Sequence, residues 1–423
     1  MNPSPRRATA AWCLFDFANS PFTTIIITFA FAIYFREVVV HAPDNRSDLL
    51  WGVTNFLAMV TLVAASPVLG ALADFSGRKK RFLMASTLLA VACTVPLYWV
   101  GPGDVLVSMA LVTLGMIGFE AGYVFYNAFL PEVSKPEKVG AVSGWGWGAG
   151  YVGGLLFMLL AMPLLRQPLS EPAGVSAYRT CFLLVAVWFL VFALPAFFWL
   201  RESPPRGRAE HWGQYVTIGL GRVRDTLVHL RRYRETAKYI LASTCFTDGI
   251  STVALYGGLY ARTTIGFSAA EYVWLGVVLN LVAVPGALGA GYLADRIGPK
   301  RTIVATLVLW VCVVIGGCLA PNKAAFWMVA FGAAIGMGGT QAVGRSFMAQ
   351  ITPPERQAEF FGFYVLSGKF ASMFGPLVFG AVSSWSGTQR LAMLSLLPFF
   401  LAGLVLMLSI DEKRAMKTAE SVL

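Results

Sequence analysis

The stretch Gly70-Ala-Leu-Ala-Asp74-Phe-Ser-Gly77-Arg78-Lys-Lys-Arg81 returns 221 residues later as Gly291-Tyr-Leu-Ala-Asp295-Arg-Ile-Gly298-Pro-Lys-Arg301. Each copy follows the second long apolar run of its own half of the chain. Other echoes keep the same order. Asn127-Ala-Phe129 through Lys138 aligns with Arg345-Ser-Phe347 through Arg356, Gly144 with Gly362, and Cys13-Leu-Phe-Asp16 with Cys245-Phe-Thr-Asp248. Self-similarity at one fixed spacing means that a single structural unit is written twice. The fold must therefore be built from two related halves.

Almost everything between those loops is apolar. Hydrophobic residues make up 57% of the 423 and charged residues 13%, against roughly 25% charged in an average soluble domain. Twelve apolar runs, each about 18 to 28 residues, are long enough to cross a bilayer core of about 30 Å. They lie near 12–35, 50–73, 82–100, 105–130, 139–163, 177–200, 239–261, 271–294, 302–320, 324–349, 358–383 and 389–410. Uninterrupted apolar runs predict helices rather than barrel strands, whose pattern alternates. The expected fold is all-α, with six helices in residues 1–200, a basic bridge over 201–238 and six more helices in 239–423. The first run is too long for the apolar core of a cleavable signal peptide.

The net charge of +11 invites a nucleic-acid reading, but the placement of the charge argues against one. Alternate loops, counted from the N-terminus, hold Arg6, Arg7, Arg78 to Arg81, Lys135, Lys138, the basic bridge, Arg296, Lys300, Arg301, Arg356, Lys413, Arg414 and Lys417. The other loops hold only Arg36, Arg46, Arg166, Arg179, Arg262, Lys323 and Arg390. That asymmetry sets the first side as cytoplasmic, with both termini inside. The six cysteines fall within or at the ends of apolar runs and form no Cys-x-x-Cys pair, and His41, His211 and His229 lie far apart. No metal, cofactor or disulfide framework is expected. A Gly-x-x-x-x-Gly-Lys-Ser/Thr phosphate loop is also missing from the sequence, so energy for any work on a solute must come from a gradient or a separate subunit.

Within the bridge, Ser203-Pro204-Pro205 stops the sixth helix. Val216, Leu220, Val223, Leu227 and Leu230 then recur at helical spacing, with Arg222, Arg224, Arg231, Arg232 and Arg234 around them. Two placements fit such a helix. It can lie on the inner membrane surface with its arginines near anionic lipid head groups, over 216–234, or it can sit against the cytoplasmic loops.

The duplicated Gly-x-x-x-Asp-x-x-Gly-Arg/x-Lys-Arg loop resembles the signature loop of the major facilitator superfamily. Three further stretches resemble its autophagy-related vacuolar effluxer-like branch: Trp12-Cys-Leu-Phe-Asp16-Phe-Ala-Asn19-Ser20, Tyr126-Asn127-Ala-Phe-Leu-Pro131 and Ser143-Gly-Trp-Gly-Trp-Gly-Ala-Gly150-Tyr151-Val-Gly153-Gly154. The resemblance runs over essentially the whole chain. It implies twelve transmembrane helices in two six-helix bundles, a solute cavity lined by helices one, four, seven and ten, and amino-acid efflux by analogy with yeast vacuoles. Gly150-Tyr151-Val-Gly153-Gly154 is similar to the antiporter motif of that superfamily, with Tyr151 where proline is usual. Close helix packing explains the glycines of this run without any direction of transport.

Candidate gating residues are Gly70, Asp74, Gly77 and Arg78 in the first signature loop, Gly291, Asp295 and Gly298 in the second, and Arg345. A carboxylate at Asp74 or Asp295 can accept hydrogen bonds from a neighbouring helix N-terminus and pair with basic residues. Gly70 and Gly291 permit close helix approach, and Gly77 and Gly298 a tight turn. Pro299 replaces Arg78 in the second copy, so weaker hydrogen bonding is expected there.

Charges inside a membrane helix are destabilising by roughly 2.5–3.5 kcal/mol on insertion scales, so they have a partner or a task. Glu120, Asp16 and Asp248 are the candidate proton-coupling carboxylates, Glu120 first. A static pair such as Glu120 with Lys369, or Asp16 with Arg345, is the structural alternative. Lys369 can neutralise a carboxylate or bind that of a solute. Asn19, Tyr123, Tyr126, Asn127, Asn280 and Gln341 can hydrogen-bond a small polar solute, although Tyr126 also suits an interfacial aromatic belt. The expectation is a non-enzymatic secondary active transporter in the cytoplasmic (inner) membrane. It would move a small polar molecule by alternating access, coupled to H+. A lipid or amphiphile transporter and a non-transporting receptor or scaffold are the alternatives.

Overall fold

A computed structural model describes residues 5–41, 46–202, 212–229, 231–371 and 374–420. Among these residues the secondary structure is helical, with no strand. Among the described residues eleven helices are long and apolar enough to cross a membrane: Arg6–Val40, Leu49–Ser76, Lys79–Tyr98, Val105–Ala128, Pro136–Leu165 and Pro172–Trp199, then Trp274–Ile297, Pro299–Leu319, Lys323–Ile351, Gln357–Ser386 and Gln389–Leu408. Between the two groups stands Arg234–Thr263, a 30-residue helix. It takes the seventh of twelve places but is too polar to meet the same hydropathy standard, because it carries Asp248 and a run of Thr, Ser and Tyr. Large apolar side chains such as Leu106, Phe198 and Trp385 stand 80%, 71% and 88% exposed, as expected of surfaces solvated by lipid rather than water. The chain is a multi-pass integral membrane protein.

The chain packs as two compact units. One comprises Met1–Phe129 and Ala149–Gly219, the other Leu130–Gly148 and Leu220–Leu423. The fifth helix, Val139–Leu165, contributes its first part to the second unit and the remainder to the first.

In the first unit the first helix packs on the sixth, and the fourth on the second and third. A methyl on Gly118 would sit 2.7 Å from Ser86 O, so the third and fourth helices touch backbone to backbone. The first helix is irregular, with π-helical stretches at Phe22–Thr28 and Phe35–Val40. Pro21 precedes the first of them and withholds the donor a regular turn would need. In the second unit the eighth and ninth helices pack on the tenth, and the seventh on the twelfth and eleventh. Trp310 stacks on Phe400 at 5.4 Å.

The duplication is visible in how helix ends are satisfied. At the far end of the third helix, Arg179 donates to Val100 O at 2.8 Å and to the Tyr34 hydroxyl at 2.8 Å, and Tyr34 donates to the same carbonyl at 2.8 Å. At the far end of the ninth, Arg390 donates to Cys318 O at 2.6 Å and Ala320 O at 2.9 Å, and Tyr260 to Gly317 O at 2.8 Å. Cations suit these positions because the last carbonyls of a helix are unpaired and carry its negative end. At the near ends, Glu202 accepts the amides of Lys80 at 3.1 Å and Arg81 at 3.2 Å. Glu412 accepts that of Lys300 at 3.4 Å.

Arg179→Ala and Arg390→Ala should each destabilise the detergent-solubilised protein by about 1.5–3 kcal/mol, read as a lower melting temperature. Lysine should recover only part of this, since one ammonium cannot fork to two acceptors in a plane. Melting curves unchanged in both alanine variants would show that these helix ends hold without their arginines.

Candidate functional site

The signature loops turn at glycines in the left-handed region, Gly77 at φ 65° and Gly298 at φ 95°. In the first loop Asp74 is buried and lies 3.3 Å from Lys79 Nζ, itself 4% exposed along its side chain. In the second, Asp295 accepts the Gly140 amide at 2.7 Å and the Ala141 amide at 2.8 Å. Those are orphan donors in the first turn of the fifth helix. Pro299 does not leave Asp295 without partners. The donors are backbone amides rather than an arginine, and Pro299 instead occupies the first position of the ninth helix, where a missing N–H is harmless.

Close approach makes this cap possible. A methyl on Gly140 would lie 2.5 Å from Gly291 O, one on Gly291 2.4 Å from Gly140 O, and one on Gly144 2.6 Å from Ala287 O. Gly148 faces Leu288 and Val284. Gly140, Gly144 and Gly148 recur every four residues and so form one stripe against the eighth helix. Within the first unit, Gly150, Gly153 and Gly154 instead meet Asp16, Phe17 and Ser20 of the first helix.

Arg345 is 2% exposed. Its Nε donates to Ser143 Oγ at 3.0 Å and its Nη2 to Ser143 O at 2.7 Å, and Ser143 Oγ donates to Ala342 O at 2.6 Å. The guanidinium carbon stands 5.5 Å from the Trp147 ring centroid, a cation–π distance. Beside it Tyr239 donates to Gly344 O at 2.7 Å and stacks on Tyr364 at 6.1 Å. Sequence reasoning placed Arg345 but missed Ser143, Tyr239 and Tyr364. These residues carry no periodic signal and meet only after helices five, seven, ten and eleven assemble. Gly140 was also missed, although the four-residue spacing from Gly140 to Gly148 was there to be read.

The intramembrane carboxylates are all buried: Asp16 at 4%, Glu120 at 3% and Asp248 at 2% exposure. Asp248 takes the Gly375 amide on both oxygens, at 2.8 and 2.9 Å. The polar candidates divide between the units. In the first, Asn19 and Asn127 are buried, and Tyr123 lies 6.0 Å from Tyr126. Tyr126 is fully buried, stacked on Trp12 at 4.5 Å and Phe15 at 5.0 Å, and its carbonyl accepts Trp12 Nε1. It is a core residue rather than an interfacial anchor. In the second unit Gln341 and Lys369 are half-buried. Asn280 is exposed and donates to Gly276 O of its own helix.

The bridge helix runs Trp212–Val228; Ser203, Pro204, Pro205, His211 and Leu230 lie outside the described residues. Its arginine Arg222 donates to Glu355 O at 3.0 Å and lies 3.7 Å from Glu359. Thr226 donates to Glu359, which is fully buried. Arg356 reaches Thr226 at 2.6 Å and Asp225 at 2.8 Å. The face bearing Arg222 is thus held by the segment that opens the eleventh helix, whereas Arg224, Arg231, Arg232 and Arg234 are exposed.

The profile of the family described as "Vacuole effluxer Atg22 like" matches residues 52–420. The chain belongs to that family. Among relatives, the "Uncharacterized MFS-type transporter YxiO" of Bacillus subtilis is 28% identical over 95% of this chain and 94% of its own. The "Autophagy-related protein 22" of Coccidioides immitis is 25% identical over 84% of this chain and 71% of its own. Among solved structures, the proton:xylose symporter XylE superposes with a TM-score of 0.76 at 14% identity, covering 99% of this chain and 98% of that one. The transporter FucP superposes with a TM-score of 0.75 at 13% identity, covering 95% of this chain and 98% of that one. This member of the Atg22-like family therefore has the twelve-helix major facilitator fold and is a membrane transporter rather than an enzyme.

Asp295→Ala strands two amides, so hydrogen exchange over 138–145 should speed up by about tenfold or more; an unchanged rate would mean the cap is not needed. The Arg356 guanidinium beside Asp225 holds its carboxyl below the usual carboxylate range. A depressed folded pKa gives a contribution that is complete above the unfolded value and lost as pH falls through the folded one. Protection of the 212–228 helix should therefore be the same at about pH 7 and about pH 5 and fall only in stronger acid. Loss already at about pH 5 would contradict the tie.

Proposed function

We propose that this protein is a secondary active transporter that moves a small polar solute, amino acids foremost, across the cytoplasmic membrane by alternating access. Buried charge carries the reading: Asp16, Glu120, Asp248 and Arg345, each at most 4% exposed, stand on the first, fourth, seventh and tenth helices. Four ionisable groups inside so apolar a chain are unfavourable unless they serve a solute, an ion or each other. Efflux is favoured by the family description, vacuole effluxer. Proton coupling is favoured by neighbours of the same fold described as proton:xylose and fucose:proton symporters.

Glu120 is the leading proton carrier, with Asp16 behind it. Asp248 differs, because both its oxygens are engaged by the Gly375 amide. Asn19, Tyr123, Tyr126, Asn127, Asn280, Gln341 and Lys369 remain the solute-binding set, Tyr126 through the packing of the wall more than through its hydroxyl. The moving bodies are the six-helix halves 1–200 and 239–423, joined by the 201–238 bridge. Asp74, Asp295 and Arg345 act at the gate: the contacts of Asp295 and Arg345 tie the start of the fifth helix, from the first repeat, to the eighth and tenth, from the second, and must break for the solute to pass. The exposed arginines of the bridge face anionic head groups on the inner leaflet.

Flux into proteoliposomes with and without an imposed pH gradient tests this. Glu120→Gln should abolish pH-driven accumulation while leaving solute exchange partly intact. Accumulation at the parent's level in that variant would remove Glu120 from the coupling role. A parent that moves labelled lipid but no amino acid would favour the amphiphile alternative.

A further inference from the structure

Asp16 and Ser20 on the first helix are spaced like Asp248 and Thr252 on the seventh. In both pairs the hydroxyl donates to the aspartate's own carbonyl at 2.8 Å, so the two side chains stand on one helix face. A glycine of another helix lies against each pair. A methyl on Gly150 would come within 3.0 Å of Ser20 Oγ and 3.6 Å of Asp16 Cβ. One on Gly375 would come within 2.0 Å of Thr252 Oγ1 and 2.7 Å of Asp248 Oδ1. Gly150 belongs to the fifth helix and Gly375 to the eleventh, its repeat partner. The next residue differs: Tyr151 in one half, Pro376 in the other.

That difference has a physical consequence. Proline inside a helix has no N–H and pushes away the carbonyl four residues back, so backbone bonds around it are lost or strained. Hydrocarbon holds no water to replace them. Gly375 donates to both oxygens of Asp248. Charge-assisted bonds of this kind are among the stronger ones. In the fifth helix Tyr151 keeps its own amide.

We propose that Asp248 is a positioning residue: it caps the Gly375 amide beside Pro376 and so fixes the eleventh helix to the seventh. The role does not extend to Asp16, because the residue after Gly150 is Tyr151 rather than proline. The consequence for coupling rests on the transport reading above: Asp248 holds a joint, and proton movement falls to Glu120 and Asp16.

Melting temperature in detergent tests the cap without reference to flux. Asp248→Ala removes the acceptor and should lower the melting temperature by about 2 °C or more. Asp248→Asn keeps a carbonyl oxygen and should recover most of the loss. Pro376→Ala restores an amide and should suppress the loss in the Asp248→Ala background. Equal instability of Asp248→Asn and Asp248→Ala, or no suppression by Pro376→Ala, overturns the proposal. If Asp248→Ala does not fold, recovery of folded protein in the double variant supports the cap, and failure to recover it overturns it. In the flux assay Asp248→Asn should still accumulate solute under a pH gradient; normal melting with accumulation lost would make Asp248 a coupling group and overturn the proposal. A parent without flux would defeat the transport reading, and the melting comparison would still decide the cap.

Discussion

Helix ends leave amides and carbonyls without partners in their own helix, and each one buried away from water and left unpaired is unfavourable by several kcal/mol. The charged residues of this chain are placed by that requirement. Arg179 and Arg390 close the carbonyl ends of the third and ninth helices. Glu202 and Glu412 close the amide ends of the same two helices. Asp295 does so for the fifth, and Asp248 holds the Gly375 amide of the eleventh. Charge that looks costly in a composition table becomes the means by which helix ends are tolerated.

The fifth helix shows how backbone contact and polar contact combine along one seam. Its glycine stripe at 140, 144 and 148 meets the eighth helix, and its later glycines meet the first. Small residues make such seams close without interlocking side chains, so they can form and part with little repacking. Polar contacts then set how firmly the seam holds. Asp295 grips the start of the fifth helix, and Arg345 grips Ser143 one turn further on. A transporter needs contacts that are strong when made and compact enough to break together.

The bridge is more than a tether. Arg222, Asp225 and Thr226 engage Glu355, Arg356 and Glu359 at the opening of the eleventh helix, the helix that Asp248 grips further along. The eleventh helix is therefore tied to the bridge at its opening and to the seventh helix at Gly375. The bridge's own sequence pattern left two placements open, because an arginine-rich stripe fits a lipid surface and a protein carboxylate equally well. Burial of Glu359 decided the matter for Arg222 only.

Duplication, helix number and the signature turns follow from the sequence alone, because apolar length and glycine spacing are local properties of a chain in lipid. The seventh helix was legible too, despite its polarity, since its repeat partner fixed its place. Cap partners were not legible. Asp295 was expected to bond less well because of Pro299, yet its donors are amides 154 and 155 residues away, which no local pattern announces. Tyr126 suited an interfacial belt by residue type and proved to be core, because stacking against Trp12 and Phe15 depends on how two distant helices face. Sequence determined that charges had to be buried in this membrane protein; only the tertiary structure decided which of them hold backbone amides and carbonyls, because a carboxylate's partners are set by the donors the fold brings to it.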